Sequence, residues 1–220
     1  VKREEVKSRK ITAPVSILEK SAFFNKKVPS FYEALAKPVP SVIGEFKRKS
    51  PSRGDINPVA SIPNVALGYQ DAGIAAMSVL TDEEFFGGRN SDLRQVAGLV
   101  KIPVLRKDFI VDEYQVVEAK SIGAGAILLI ASILTKKEVD TLSGLALILG
   151  LDILFEIHDL SDIDKMSQNI KIIGVNNRNL KTFDISMDNS DELYQHLPKG
   201  CLKVAESGFQ TAEDVIRLFK

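Results

Sequence analysis

The sequence has little of the chemistry that builds disulfides and metal centres, with one cysteine, two histidines and no tryptophan. The single thiol, Cys201, excludes an internal disulfide, and two histidines are too few soft ligands for a structural zinc site. The longest apolar run, residues 126–131, is far shorter than the roughly 20 residues of a membrane-spanning helix. The first residues mix lysine, arginine and glutamate, unlike a signal peptide. We therefore expect a cytoplasmic protein with no metal site.

An excess of either charge is also missing, because 29 Lys and Arg residues balance 29 Asp and Glu residues. Without a global field, the chain is not expected to bind nucleic acid or an anionic membrane. Its 45% hydrophobic and 26% charged residues are typical of a globular protein with a large core. A length of 220 residues suits a single α/β barrel. Any binding of anions must then depend on charges within a local site.

What the chain does contain is a regular alternation of strand and helix signals. Short apolar runs predict seven strands, at residues 41–46, 75–80, 104–106, 126–131, 152–157, 171–175 and 202–205. Helix start signals lie between them, at Asn57–Pro58, Ser91–Asp92, Asp112, Thr135, Ser161–Asp162 and Thr211. Apolar strands that alternate with helices predict a parallel sheet covered by helices.

Two architectures share this pattern, the open doubly wound sheet and the closed (β/α)8 barrel. No Gly-x-Gly-x-x-Gly follows the first strand, and polar residues mark nearly all strand ends instead of one switch point. In the N-terminal extension, residues 1–40, Ser30 and Glu33 predict a capped helix that closes the bottom or rim of a barrel. We therefore predict one α/β domain over residues 1–220, a (β/α)8 TIM barrel that starts at residue 41.

The predicted strands number one fewer than the barrel needs. The chain stops at Lys220, inside the helix that follows the seventh strand, so we expect the parent protein to continue into an eighth βα unit. In such barrels the loops after strands seven and eight commonly form a phosphate site, of which only the first half, residues 206–208, is present. A chain that truly ended here would leave two strand edges exposed.

Acids, bases and amides cluster where the predicted strands end. Residues 42–54 change abruptly from apolar to acid, base, hydroxyl and glycine, and strand alternation puts Glu45 and Lys47 on one face. The other strand ends add residues 81–82, 107–109, Glu156, His158, 176–178 and 206–208. Each charge alone could be a solvated rim group worth under about 1 kcal/mol. Their joint placement instead predicts a charged ring around the barrel mouth.

Such a ring suits proton transfer on an anionic substrate. In a partly desolvated mouth, opposed charges keep a lysine protonated as an acid and leave a nearby glutamate available as a base. Asn176 and Arg178 share strand parity, so both can face the mouth. Ser50 has no evident base, and no serine, histidine and aspartate are spaced as a hydrolytic triad.

The motifs at these strand ends form an ordered series. It runs from Glu45-Phe46-Lys47-Arg48-Lys49-Ser50-Pro51-Ser52 through residues 78–82, 85–88, 105–115, 156–159 and 174–180 to 206–208. In this order the motifs resemble those of the indole-3-glycerol-phosphate synthases, enzymes of the tryptophan pathway. The motifs at 45–52 and 105–115 are highly specific, whereas Glu-Ser-Gly at 206–208 is weak by itself.

The resemblance implies a cofactor-free lyase that closes the indole ring of 1-(2-carboxyphenylamino)-1-deoxyribulose 5-phosphate, with loss of carbon dioxide and water. By motif, Lys107 would be the acid that activates the carbonyl, Glu156 the base, and Asn176 the residue that orients carbonyl or hydroxyl groups. Lys47, paired with Glu45, would contact the substrate and deliver the second proton during dehydration. How Glu45, Lys47 and Glu156 divide the proton transfers stays open.

The resemblance also implies a set of substrate contacts. These are Ser50, Phe86, Phe109, Leu128, Arg178, Leu180, Glu206, Ser207 and Gly208. The two phenylalanines and two leucines would form an apolar wall around the aromatic ring, although an ordinary core role stays open for each. The implied ligand is a small anion with a phosphate and a carboxylate, and we expect a monomer unless the parent is fused to or paired with another pathway enzyme.

Two other functions stay open on the sequence. One is another phosphate-binding barrel enzyme, such as a phosphoribosylanthranilate isomerase, against which the set of Glu45, Lys47 and Lys107 argues. The other is a non-catalytic fragment that keeps the motifs but binds substrate poorly.

Overall fold

Seven parallel strands form the wall of the fold in the computed structural model, which describes residues 1–37, 40–178, 186 and 188–217. The strands are β1 (Ile43–Phe46), β2 (Ala76–Leu80), β3 (Val104–Lys107), β4 (Ala126–Ile130), β5 (Asp152–Ile157), β6 (Ile172–Asn176) and β7 (Leu202–Glu206). Each strand pairs with the next along the chain, as in a TIM barrel, and β1 and β7 form the edges of this described sheet. All seven predicted strands are confirmed, with ends displaced by at most two residues.

Helices cover the outer face of the sheet and build the N-terminal extension. They are α1 (Lys2–Thr12), α2 (Val15–Leu18), α3 (Phe31–Leu35), α4 (Ile62–Asp71), α5 (Glu83–Phe86), α6 (Asn90–Leu99), α7 (Glu113–Ser121), α8 (Lys136–Ile148), α9 (Asp188–Tyr194) and α10 (Ala212–Arg217). Among the described residues, 3-10 helices occupy Ala131–Ile133 and Leu160–Lys165, and Lys49–Ser50 pairs with Gly54–Asp55 in a β hairpin. None of the described helices is long and apolar enough to cross a membrane.

Local side-chain capping explains where several helices start, and the predicted start at Asn57–Pro58 is wrong. Thr135 forms the expected capping box with Glu138 at the start of α8. Helix α4 begins at Ile62, after Ser61, and not at the predicted Asn57–Pro58. The reason is that the backbone N–H of Asn57 donates to the carbonyl of Arg48 (3.1 Å), which holds this segment against the end of β1. The Asn57–Pro58 pair in the sequence gives no sign of this hydrogen bond to Arg48.

The inside of the sheet is closed at the N-terminal ends of the strands by α3. Phe31 is fully buried there and packs in one apolar cluster with Leu105, Leu128 and Leu154. The Ser30 hydroxyl and the Tyr32 backbone N–H both donate to Asp152 Oδ2, each at 2.9 Å, at the start of β5. The extension therefore closes the bottom of the barrel, and the opposite end stays open.

A buried ionic network lies on the helix side of β3. Arg106 is fully buried, with Nη2 at 2.6 Å from Glu118 Oε2 and 3.1 Å from Asp108 Oδ2. Lys2 of α1 places its Nζ 2.9 Å from Asp108 Oδ1. Because breaking a buried ion pair typically costs about 3–5 kcal/mol, this network anchors α1 to the strand that carries Lys107.

Candidate active site

The C-terminal ends of the strands open into a cavity of about 460 Å³. Thirteen of the fourteen predicted site residues line it: Glu45, Lys47, Ser50, Phe86, Lys107, Phe109, Leu128, Glu156, Asn176, Arg178, Glu206, Ser207 and Gly208. Leu180 lies outside the described residues. The sheet brings these residues together because parallel strands present their carboxyl ends at one face.

Lys107, the last residue of β3, lies at the centre of the charged groups. Its Nζ is 3.0 Å from Glu45 Oε2 on β1 and 3.0 Å from Glu206 Oε2 on β7. Burial disfavours the charged amine, but Glu45, Glu206 and Glu156 together hold the pKa of Lys107 well above its usual value. The amine is therefore protonated at neutral pH and has carboxylates on two sides.

Glu45 lies between two lysines. It forms ion pairs with Lys107 and with Lys47, which follows it by two residues on the same face. Burial would raise the pKa of this carboxyl, but the two ammonium groups lower it to about 2. Glu45 is therefore a carboxylate throughout the physiological range and fixes the positions of both lysines.

Glu156 on β5 has the opposite electrostatic environment. Its side chain is 3% exposed, and burial together with the nearby Glu206 carboxylate raises its pKa to about 8, a shift that Lys107 only partly opposes. The amide of Asn176 forms a hydrogen bond with the Glu156 carboxyl. Glu156 can therefore gain and lose a proton near neutral pH, as a general acid or base must.

A glycine on β6 makes the approach of the two glutamates possible. A Cβ placed on Gly174 would lie 2.1 Å from Glu206 Oε1, so any larger residue would displace that carboxylate. The Glu206 side chain thereby lies across β6, between Lys107 and Glu156. Sequence reasoning predicted Glu206 only as a substrate contact and missed that it binds the central lysine; its place at the end of an alternating strand was the available signal.

One side of the cavity is aromatic and apolar. The rings of Phe86 and Phe109 have centroids 6.3 Å apart, and Leu128 is buried in the inner cluster. Such a wall can receive a flat aromatic ring. Ser78 on β2 also lines the cavity, with a buried hydroxyl that has no hydrogen-bond partner within the described ranges. It was missed as a site residue, although its position in an apolar strand could have indicated it.

The rim carries cations and turns suited to an anionic group. Arg178 Nη1 donates to Ser52 Oγ of the hairpin loop at 3.2 Å, and the Arg178 backbone N–H donates to Asn176 Oδ1 at 3.0 Å. After β7 the backbone turns through Ser207 and Gly208, both with positive φ (67° and 91°). This turn also lines the cavity.

Comparison with known proteins identifies a matching family. The family model described as indole-3-glycerol phosphate synthase matches residues 1–220. An indole-3-glycerol phosphate synthase from Bacteroides thetaiotaomicron is 44% identical over 189 residues, which cover 86% of this chain and 73% of the relative. Another from Caldanaerobacter subterraneus is 39% identical over 219 residues, covering 99% of this chain and 84% of the relative.

Solved structures support the fold at low sequence identity. A tryptophan synthase complex from Pyrococcus furiosus aligns with TM-score 0.57 and 13% identity, over 81% of this chain and 82% of that chain. A 3-keto-L-gulonate-6-phosphate decarboxylase from Vibrio cholerae aligns with TM-score 0.59 and 14% identity, over 82% and 83%. The sequence matches carry the assignment further: the chain belongs to the indole-3-glycerol phosphate synthase family, the carboxy-lyases of tryptophan biosynthesis.

Proposed function

We propose that the protein closes the indole ring of 1-(2-carboxyphenylamino)-1-deoxyribulose 5-phosphate and releases carbon dioxide and water. Family membership supports the reaction class. The observation that supports the residue roles is the position of Lys107 Nζ, 3.0 Å from both Glu45 and Glu206, in the same cavity as Glu156. The protonated amine of Lys107 and the titrating carboxyl of Glu156 thus border the space where the substrate would lie.

In the first step Lys107 acts as the general acid. It donates a proton to the ketone oxygen while the ring carbon that carries the carboxylate bonds to the carbonyl carbon. The bond to the carboxylate then breaks, and its electron pair restores the aromatic ring as carbon dioxide leaves. Glu45 and Glu206 support this role because they orient the Lys107 ammonium group from two sides.

The second step removes the hydroxyl group that the first step created. Lys47 supplies a proton to that oxygen, the carbon–oxygen bond breaks, and water leaves. Glu156 accepts the proton from the adjacent carbon, so that the double bond of the indole forms. Asn176 orients the Glu156 carboxyl through its hydrogen bond. The two lysines donate two protons and Glu156 accepts one, so the reaction consumes one proton overall. Loss of a carboxylate as carbon dioxide requires this one proton.

The difference between the two glutamates supports Glu156 as the base, a role that the sequence left open. Glu45, with a pKa of about 2, is a weak base at neutral pH and serves to hold Lys47 and Lys107. Glu156, with a pKa of about 8, is matched to the working pH. Glu156 is therefore the better candidate for proton abstraction.

The rest of the cavity suits an aromatic ring joined to anionic groups. Phe86, Phe109 and Leu128 offer an apolar surface for the ring. Arg178 at the rim and the turn at Ser207 and Gly208 offer a cation and backbone N–H groups to the phosphate and carboxylate.

The function is tested by incubating the purified protein with synthetic substrate and measuring indole glycerol phosphate by fluorescence together with released carbon dioxide. Equimolar formation of both is expected. A folded protein that forms neither would contradict the proposal, and turnover of phosphoribosylanthranilate instead would support the isomerase alternative, which the family match does not favour.

A monomeric state and a cytoplasmic location belong to the proposal as predictions from the sequence. Light scattering on the purified protein tests the first, and cell fractionation tests the second. A stable dimer, or recovery with the membrane fraction, would contradict them.

A further inference from the structure

His158 lies against Glu156 without a role in the reaction described above. It follows Glu156 by two residues at the end of β5, and its Nε2 is 3.5 Å from Glu156 Oε1. The side chain is 16% exposed, and both ring nitrogens are buried without a hydrogen-bond partner within the described part of the chain. An unpaired buried N–H costs free energy, and the Glu156 carboxylate lies within reach as an acceptor.

The imidazole contacts Glu156 from outside the substrate cavity. His158 is not among the cavity-lining residues, whereas Glu156 is. The His158 backbone N–H donates to Asp162 Oδ2 at 3.0 Å, and Lys165 Nζ donates to the carbonyl of Ala131 at 2.8 Å. The 3-10 helix after β5 therefore holds the histidine behind the glutamate and leaves the cavity side free for substrate.

Burial and the neighbouring charges set the protonation states of His158 and Glu156. Burial lowers the pKa of His158, against the opposing effects of Asp162, Glu206 and Asp159. The imidazole is therefore neutral near neutral pH and carries one N–H. On Glu156, burial and Glu206 favour the protonated carboxyl, and Lys107 favours the ionised form. If the imidazole N–H points at Glu156, it favours the ionised form, as Lys107 does.

We propose that His158 is a positioning residue for Glu156, whose carboxylate it orients through an Nε2–H that lies 3.5 Å from Glu156 Oε1. The proposal rests on the role of Glu156 as the base in the proposed function. Its consequence is that loss of the N–H slows turnover without weakening substrate binding.

The test compares three variants. H158F keeps an aromatic ring but removes the N–H; H158Q keeps an amide N–H at similar reach; H196Q changes the other histidine, which is exposed, as a control. For H158F we expect the acidic limb of the kcat–pH profile to move up by about one pH unit, with kcat at pH 7 lower by about 10-fold and KM changed by less than about twofold. H158Q should restore most of kcat, and H196Q should match the wild type. Equal losses in H158F and H158Q, or an effect mainly on KM, would overturn the proposal.

Two measurements on the free protein separate this proposal from the proposed function. Carbon-13 NMR of labelled glutamates, with Glu156 assigned from E156Q, should show the Glu156 titration at higher pH in H158F; an unchanged or lower value would overturn the proposal even if the enzyme is active. Nitrogen-15 NMR of the wild type needs no variant, and a proton on Nε2 at neutral pH is expected. A proton on Nδ1 instead would overturn the proposal. If both spectra agree with the proposal but no indole glycerol phosphate forms, the proposed function is wrong, while the contact between His158 and Glu156 is still supported.

Discussion

Two sides of the same cavity shift the pKa of a glutamate carboxyl in opposite directions. On the β1 side, Glu45 contacts two lysines and its pKa falls to about 2. On the β5 side, Glu156 lies near the Glu206 carboxylate, and burial together with that negative charge raises its pKa to about 8. Burial favours the protonated carboxyl in both, so it does not explain the difference. The sign of the neighbouring charges decides which glutamate holds the lysines and which one carries protons.

Removal of the lysine shared by the two sides should have the largest effect. Lys107→Ala deletes the proposed general acid and leaves Glu45 and Glu206 without their common cation. We expect kcat to fall by at least about 10²-fold, with a smaller change in KM. The measurement is steady-state formation of indole glycerol phosphate.

Lys107→Arg is the matched variant, because it keeps a cation in the cavity but holds its proton too tightly to donate it. It should remain as slow as the alanine variant. Nearly unchanged turnover in either variant would assign the principal acid to Lys47.

Glu156→Gln should remove the titrating carboxyl on the β5 side and keep a side chain of the same shape. We expect kcat to fall by about 10²-fold and the limb of the pH profile near 8 to disappear. Glu206→Gln removes the negative neighbour instead, so it should move that limb toward lower pH. A limb that stays in place in both variants would show that another group titrates.

Glu45→Gln should have a smaller effect, because Glu45 positions lysines and does not carry protons in the proposed reaction. Among the neighbouring carboxylates, Glu45 contributes most to the raised pKa of Lys107, so its loss should move the basic limb of the profile toward lower pH. We expect kcat to fall by about 10-fold with the acidic limb unchanged. A shift of the acidic limb would instead identify Glu45 as the base.

The two sides should also differ in how they change stability with pH. Glu45 has a lowered pKa, so its contribution to the free energy of unfolding is present above about pH 4.5 and is lost as pH falls through about 2. Glu156 has a raised pKa, so its contribution is present below about pH 4.5 and is lost as pH rises through about 8. Urea unfolding of the wild type should therefore show stability declining from pH 6 to pH 8.

Glu156→Gln is the control for that decline, because glutamine does not titrate. The variant should lack this decline over the same range. An equal slope in the two proteins would place the origin of the decline in another group.

Much of the fold could be predicted because strand and helix signals are local. Short apolar runs located seven strands, and Thr135 with Glu138 marked the start of α8. The helix α1 was not predicted, because its charged sequence acquires partners only through contacts such as Lys2 with Asp82 and Asp108. The same reason explains the error at Asn57, whose backbone is held by Arg48.

The sequence by itself indicated most of the side chains that reach the mouth, because strand parity follows from local pattern and the alternation of strands with helices predicts parallel pairing. Glu45 and Glu156 are nevertheless alike in sequence: each is a strand-end glutamate followed two residues later by a basic side chain, Lys47 or His158. Only the tertiary structure decided that Lys107 pairs with the first, and that Glu206, with room provided by Gly174, lies against the second. A pKa depends on charges that are close in space, and these charges come from strands far apart along the chain.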